Sequence, residues 1–107
     1  MINVRYIPEE YSLEVSGHAG YAEAGKDIVC AGASALTMAL MQSAFANDDM
    51  NASYYIDNVN ADIMVQCDPL EDARERCSQM FEIIMNGFRA LCTDYPEYIR
   101  LEDDEND

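Results

Sequence analysis

The feature that most constrains this chain is a glycine-rich loop that separates an alternating strand pattern from a long helical one. Gly17, Gly20 and Gly25 lie together in this loop. Before it, residues 11–16 alternate apolar and polar side chains, and after it, residues 27–47 repeat apolar side chains at three- and four-residue steps. Glycine adopts backbone angles that other residues avoid. The pattern therefore predicts a flexible loop that joins the end of a strand to the start of a helix.

Two hairpins are predicted on either side of the first helix. Residues 1–7 and 11–16 alternate around a Pro-Glu-Glu turn and form the first one. Residues 52–56 are rich in tyrosine, and residues 59–67 alternate well enough to pair with them across a turn at residues 57–58. Hairpins favour an antiparallel sheet.

The second helix is predicted to open with Asp68 as its N-cap and Pro69 at its first helical position. It is expected to end near Tyr95, and residues 98–101 are an optional last strand. The first helix is apolar nearly all round, so we expect it to be buried on several sides.

The predicted order is β-β-α-β-β-α, with an optional final β. We therefore expect an α+β fold, a two-layer domain with a mainly antiparallel sheet and two helices on one face. At 107 residues, the length suits one domain. That domain is assigned to residues 1–101, and residues 102–107 are expected to be an acidic, disordered tail.

The charge balance narrows the possible partners. The chain has 21 acidic and 6 basic residues and a formal net charge of -15. Nucleic acid and anionic membranes are disfavoured because like charges oppose the encounter, whereas a basic protein would be attracted. We find neither a signal-peptide pattern nor an apolar run that suits a membrane span, and we expect a cytoplasmic protein.

The cysteines predict reduced thiols and no metal site. There is no secretory signal and no tight disulfide-type spacing, and the chain has one histidine, which offers no pair of histidine ligands. We expect no cofactor. The four cysteines are Cys30, Cys67, Cys77 and Cys92.

His18 and Cys30 stand on opposite sides of the loop and form the candidate catalytic pair. Cys30 falls in the first turn of the predicted helix, and His18 follows the preceding strand. A helix N-terminus and a nearby imidazolium both favour the thiolate form of a cysteine, which is the nucleophile. His18 would be the base toward Cys30 and later the acid toward the leaving amine. Each residue also has an ordinary alternative role. A free cysteine such as Cys30 is often a buried core residue, and a lone histidine such as His18 is usually a surface residue.

Asp27 and Ser34 are possible supporting residues. Asp27 either caps the helix by accepting a backbone N–H bond or orients His18, and one carboxylate does not serve both roles well. Ser34 lies one turn after Cys30, where its hydroxyl would donate toward the thiolate or the substrate, or toward the carbonyl one turn back.

The loop also contains an incomplete phosphate-binding pattern. Residues 20–26 match its first seven positions, but the next residue is Asp27 where Ser or Thr would hold magnesium. A carboxylate at that helix end repels phosphate. The predicted hairpin also lacks the parallel setting of that motif, so nucleotide binding is disfavoured.

In Gly-His-Ala at residues 17–19, Gly25, Asp27, Val-Cys-Ala at residues 29–31 and Ser-Ala-Leu at residues 34–36, the chain resembles the ribosomal-processing cysteine proteases called Prp. The resemblance implies a small α+β homodimer with a flexible loop over a Cys and His dyad. His18 then matches the general base and Cys30 the nucleophile.

The implied substrate is the N-terminal extension of large-subunit ribosomal protein twenty-seven, which such proteases remove; some also process phage structural proteins. A basic extension would be attracted to an acidic enzyme. The alternative is a non-catalytic, acidic dimeric module that binds a basic ribosomal protein, with Cys30 as a core residue.

Overall fold

The computed structural model describes residues 1–103 and contains one five-stranded sheet with two helices. Its strands lie in the order β3-β4-β2-β1-β5, and all neighbours are antiparallel except β1 and β5, which are parallel. The expected α+β fold with a mainly antiparallel sheet is therefore confirmed. The elements are β1 (Ile2–Ile7), β2 (Ser12–Ser16), α1 (Ile28–Phe45), β3 (Ser53–Asp57), β4 (Asp62–Gln66), α2 (Arg74–Asp94) and β5 (Ile99–Asp103).

The alternation in the first strand shows how the sheet forms the core. Ile2, Val4 and Tyr6 are buried, while the side chain of Arg5 between them is exposed. Successive side chains of a strand point to opposite faces, so one face packs against the helices. The ring of Tyr6 stacks on Phe81 of α2, with centroids 5.7 Å apart.

The two helices approach each other closely at glycine positions. A Cβ on Gly87 of α2 would overlap the Leu36 side chain of α1, and one on Gly32 of α1 would lie 3.3 Å from Leu91. The absence of side chains at Gly32 and Gly87 therefore allows this packing.

Only one side of α1 is buried, which corrects the expectation that several sides would be. The buried side chains recur every three or four residues, and Ile28, Met38 and Phe45 on the remaining surface are 52%, 60% and 47% exposed. By length and composition alone, this helix would also suffice to cross a membrane, contrary to the expectation from the sequence. The buried side belongs to the core of the domain and consists of Val29, Ala33, Thr37, Leu40 and Ala44.

The second hairpin has a longer turn than expected. Strand β4 begins at Asp62, because the Asp57 carboxylate accepts bonds from the backbone N–H groups of Val59 and Asn60 and holds residues 58–61 in a turn. Ala61 in this turn has a φ of 54°.

The predicted cap of the second helix is wrong. Helix α2 begins at Arg74 after a short 3₁₀ turn, and Asp68 does not cap it. The N–H of Leu70 donates to the carbonyl of Asp49 at 2.9 Å, and Leu70 is extended. This tertiary bond keeps the segment around Pro69 out of the helix.

The last strand is longer than expected. β5 runs to Asp103 and pairs with β1. It includes the first two residues that the sequence assigned to the acidic tail, and the rest of that tail, residues 104–107, lies outside the described residues.

Candidate active site

The loop between β2 and α1 forms one wall of a cavity of about 600 Å³, and the start of α1 forms the other. A second cavity of about 400 Å³ lies between α1 and the turn after β3. His18, Cys30 and Ser34 line both cavities. The structure thus brings these three predicted residues to the boundary between two adjoining spaces.

Cys30 is half-buried in the first turn of α1, and the backbone of the loop contacts its sulfur. The N–H of Ala19 donates to Cys30 Sγ at 3.3 Å. The positive end of the helix dipole also lies here. The loop backbone and the start of α1 thus meet at this sulfur.

His18 immediately follows Gly17 at the end of β2, and its side chain is exposed. In the described part of the chain, no hydrogen bond joins His18 to Cys30. Catalytic hydrogen bonds are often formed only in the complex with substrate. Both side chains nevertheless line the same two cavities.

Asp27 is the helix cap and also holds the loop. Its Oδ1 accepts from the N–H of Cys30 at 2.9 Å, and its Oδ2 accepts from the N–H groups of Tyr21 at 3.1 Å and Ala22 at 3.3 Å. The bond from the Cys30 backbone is the main reason why the pKa of this carboxyl is lowered. Of the two roles considered for Asp27, the structure shows capping.

This carboxylate also weakens the case for nucleotide binding, because it lies at the helix end where a phosphate would bind.

Gly17 is crowded by the backbone of Met1, whereas Gly20 and Gly25 are not crowded. Gly17 has a φ of +89°, and a Cβ there would lie 2.5 Å from the carbonyl oxygen of Met1. Its N–H donates to Ala61. Gly20 and Gly25 also have positive φ, but a methyl group added to either would have no neighbour within 4 Å. Gly17 therefore has no room for a side chain, and the flexibility predicted for this loop stays a prediction.

Of the four cysteines, Cys30 alone lines the two cavities. Cys67 and Cys77 are buried side by side in the core, and burial raises the pKa of Cys67 to about 12. Cys92 is half-buried and its thiol donates to the carbonyl of Ile99. The candidate nucleophile is thus distinguished from the other thiols by its location.

Sequence reasoning missed three tyrosines beside this site. Tyr21 in the loop makes edge-to-face contacts with Tyr95 and Tyr98, with centroids 5.5 Å and 5.2 Å apart. No local pattern indicates this cluster, because more than seventy positions separate Tyr21 from the other two.

Comparison with known proteins agrees with this fold. The family model of cysteine protease Prp matches residues 1–100. No curated protein matches the sequence.

Three solved structures share the fold. The ribosomal processing protease Prp from S. aureus with a covalently linked product peptide has a TM-score of 0.82 at 21% identity, over 96% of this chain and 99% of that one. A protein from Streptococcus mutans has a TM-score of 0.77 at 29% identity, over 96% and 93% of the two chains. The S. aureus protease with a substrate peptide has a TM-score of 0.73 at 19% identity, over 95% and 96%.

Proposed function

This chain belongs to the cysteine protease Prp family, and we propose that it is an endopeptidase in which Cys30 is the nucleophile and His18 is the general base. The observation that carries this assignment is the position of Cys30. It lies at the start of α1, and its sulfur accepts a hydrogen bond from the Ala19 N–H. Cys30 and His18 line the same two cavities. Cleavage by such a pair needs no metal.

The reaction has two steps. His18 takes the proton from Cys30, and the thiolate attacks the carbonyl carbon of the scissile peptide bond. Breaking the C–N bond leaves a thioester on Cys30, while His18 returns the proton to the departing amine. Water, deprotonated by His18, then hydrolyses the thioester and restores the thiol.

The two cavities suit an extended peptide that crosses Cys30. A segment on one side of the scissile bond would lie under the loop, in the cavity that residues such as Gly20 and Ala22 line. The other segment would lie between Met38 of α1 and Ile56 of β3. Docking of the loop on such a peptide would exclude water from the reacting atoms.

The substrate we propose is the N-terminal extension of large-subunit ribosomal protein twenty-seven. The solved Prp of S. aureus is a ribosomal processing protease that binds substrate and product peptides. The net charge of -15 on the present chain favours encounter with a basic ribosomal protein. We propose that this takes place in the cytoplasm.

We also propose that the chain forms a homodimer through the outer surface of α1. Phe45 is exposed there, outside both cavities, and the helix has no charged residue. Burial of such a surface stabilises association. Sedimentation equilibrium of wild type and Phe45→Glu tests this, and a monomeric wild type would contradict it.

Mass spectrometry of the ribosomal protein after incubation with the enzyme tests the activity. Wild type should release one discrete N-terminal segment, and Cys30→Ala and His18→Ala should release none. Cys92→Ser is the matched control, because it changes a half-buried thiol outside both cavities. It should cleave like wild type.

Two outcomes would contradict the assignment. Cleavage by Cys30→Ala would exclude Cys30 as the nucleophile. Stable binding of the ribosomal protein without cleavage by wild type would instead support the non-catalytic binding module.

A further inference from the structure

The loop over Cys30 docks on a fixed aromatic surface formed by Tyr95 and Tyr98. The ring of Tyr21 meets them at interplanar angles of 83° and 80°. Edge-to-face geometry at this separation is favourable because the positive edge of one ring meets the negative face of the other. Tyr21 is thus the side chain that joins the loop to the end of α2.

Tyr95 and Tyr98 are held in place by the backbone around them. The N–H of Tyr95 donates to Leu91 of α2, and the N–H of Tyr98 donates to Tyr95. The carbonyl of Tyr98 accepts a hydrogen bond from the N–H of Ile2 at 2.9 Å, which holds the segment between α2 and β5 against β1. Both rings are half-buried and pack against the core. They form a rigid platform for the loop.

The loop itself has few other anchors. Every residue from 20 to 26 is exposed. The described side-chain bonds that join the loop to the start of α1 are the bond from the Ala19 N–H to Cys30 Sγ and those that the Asp27 carboxylate accepts from Tyr21 and Ala22. An exposed ion pair between Lys26 and Glu23 lies within the loop. Two ring contacts at Tyr21 therefore form a large share of what holds the loop down.

The docked position has a direct chemical consequence at the nucleophile. Ala19, which donates to Cys30 Sγ, lies two residues before Tyr21. Gly20 and Ala22 on either side of Tyr21 line the larger cavity. When Tyr21 leaves the platform, the cavity wall that Gly20 and Ala22 form is free to move, whereas Ala19 is buried in the core.

We propose that Tyr95 and Tyr98 are positioning residues that act through Tyr21 to keep the loop docked over Cys30. They touch neither the sulfur nor the cavity, and they set the fraction of molecules in which the peptide site is formed. The kinetic part of this inference rests on the proposed protease function, whereas the structural part does not.

Hydrogen exchange, resolved by residue with NMR, measures loop opening directly. Each edge-to-face pair contributes an amount that corresponds to about a 2- to 12-fold change in the opening equilibrium. We expect Tyr21→Ala, which loses both pairs, to accelerate exchange of the amides of Tyr21 and Ala22 by roughly 5-fold or more. Amides of β1 should keep their wild-type rates.

A double-mutant cycle separates positioning from a general loss of stability. Tyr95→Ala alone should accelerate the same loop amides, but it should add nothing when Tyr21 is already alanine. Tyr21→Phe keeps the ring and should restore wild-type exchange. Tyr55→Ala is the matched control, since it removes an exposed tyrosine of β3 outside both cavities.

Peptide cleavage provides the second readout. Opening of the loop lowers the binding-competent fraction, so Tyr21→Ala and Tyr95→Ala should raise KM with little change in kcat. A merely structural role would instead lower the amount of active enzyme and leave KM unchanged.

Unchanged loop exchange in Tyr95→Ala and Tyr98→Ala, or additive effects of Tyr21→Ala and Tyr95→Ala, would overturn the inference. Failure of the proposed function has a different signature. Wild type would then cleave nothing, while the exchange measurements would still report on the platform.

Discussion

Replacement of Gly17 by alanine should destabilise the protein much more than the same replacement at Gly25. The two glycines have nearly equal backbone angles, with φ of +89° and +86°. A left-handed conformation costs an alanine about 1–2 kcal/mol, part of which is offset by about 0.4–1 kcal/mol of lost freedom in the unfolded chain. This backbone contribution is common to both sites.

The sites differ in what the new methyl group meets. At Gly25 it has no neighbour within 4 Å, whereas at Gly17 it lies 2.5 Å from the Met1 carbonyl oxygen. Overpacking of this kind costs about 1–3 kcal/mol. We expect Gly17→Ala to lower the free energy of unfolding by about 3 kcal/mol and Gly25→Ala by about 1 kcal/mol or less.

Equilibrium urea unfolding, followed by circular dichroism, measures both changes. A total stability of about 5–15 kcal/mol leaves either variant folded enough for the comparison. Equal losses in the two variants would refute the reasoning, because they would show that the backbone at Met1 moves away from the methyl group at no cost. A larger loss for Gly25→Ala would also refute it.

Three further predictions follow from packing and ionisation. Gly87→Ala should destabilise the protein by about 1–3 kcal/mol in urea unfolding through overlap with Leu36, and Leu36→Ala in the same chain should relieve that overlap. The pKa of Asp27 is lowered from 3.8 chiefly by the Cys30 N–H, so its stabilisation is complete above that value and is lost as the pH falls through the lowered pKa. Asp27→Asn should therefore show a shallower loss of stability on acidification, and an unchanged acid profile would contradict this. Burial raises the pKa values of Cys67 and Cys77, so these thiols should resist alkylation at neutral pH until the protein unfolds, as peptide mapping would show.

The sequence predicted the elements whose signals are local. Alternation in residues 1–7 and 11–16 indicated the first hairpin because one face of that strand pair is buried. Asp27 caps α1, one of the two roles that its position indicated, since a cap needs only a side chain and a backbone amide three residues later. His18 and Cys30 were paired by reasoning across the loop, and their catalytic roles stay predictions.

Features that depend on distant contacts could not be predicted in this way. Asp68 is a residue type that often caps helices, but the backbone bond between Leu70 and Asp49 holds this segment extended, and α2 begins only at Arg74. The composition of α1 does not show which of its apolar side chains face the core. The contacts of Tyr21 with Tyr95 and Tyr98 join residues that are more than seventy positions apart in the sequence.

Because β1 pairs with β5, the sheet can be completed only after the last described strand has been synthesised. β5 and the Tyr95–Tyr98 platform are the last of the described elements to be translated, yet they complete the sheet beside β1, the first. Until they emerge, β1 has an open edge and Tyr21 has no surface to dock on. On the inference drawn above, a nascent copy of the protein therefore lacks the platform that keeps the peptide site formed until its last strand has emerged.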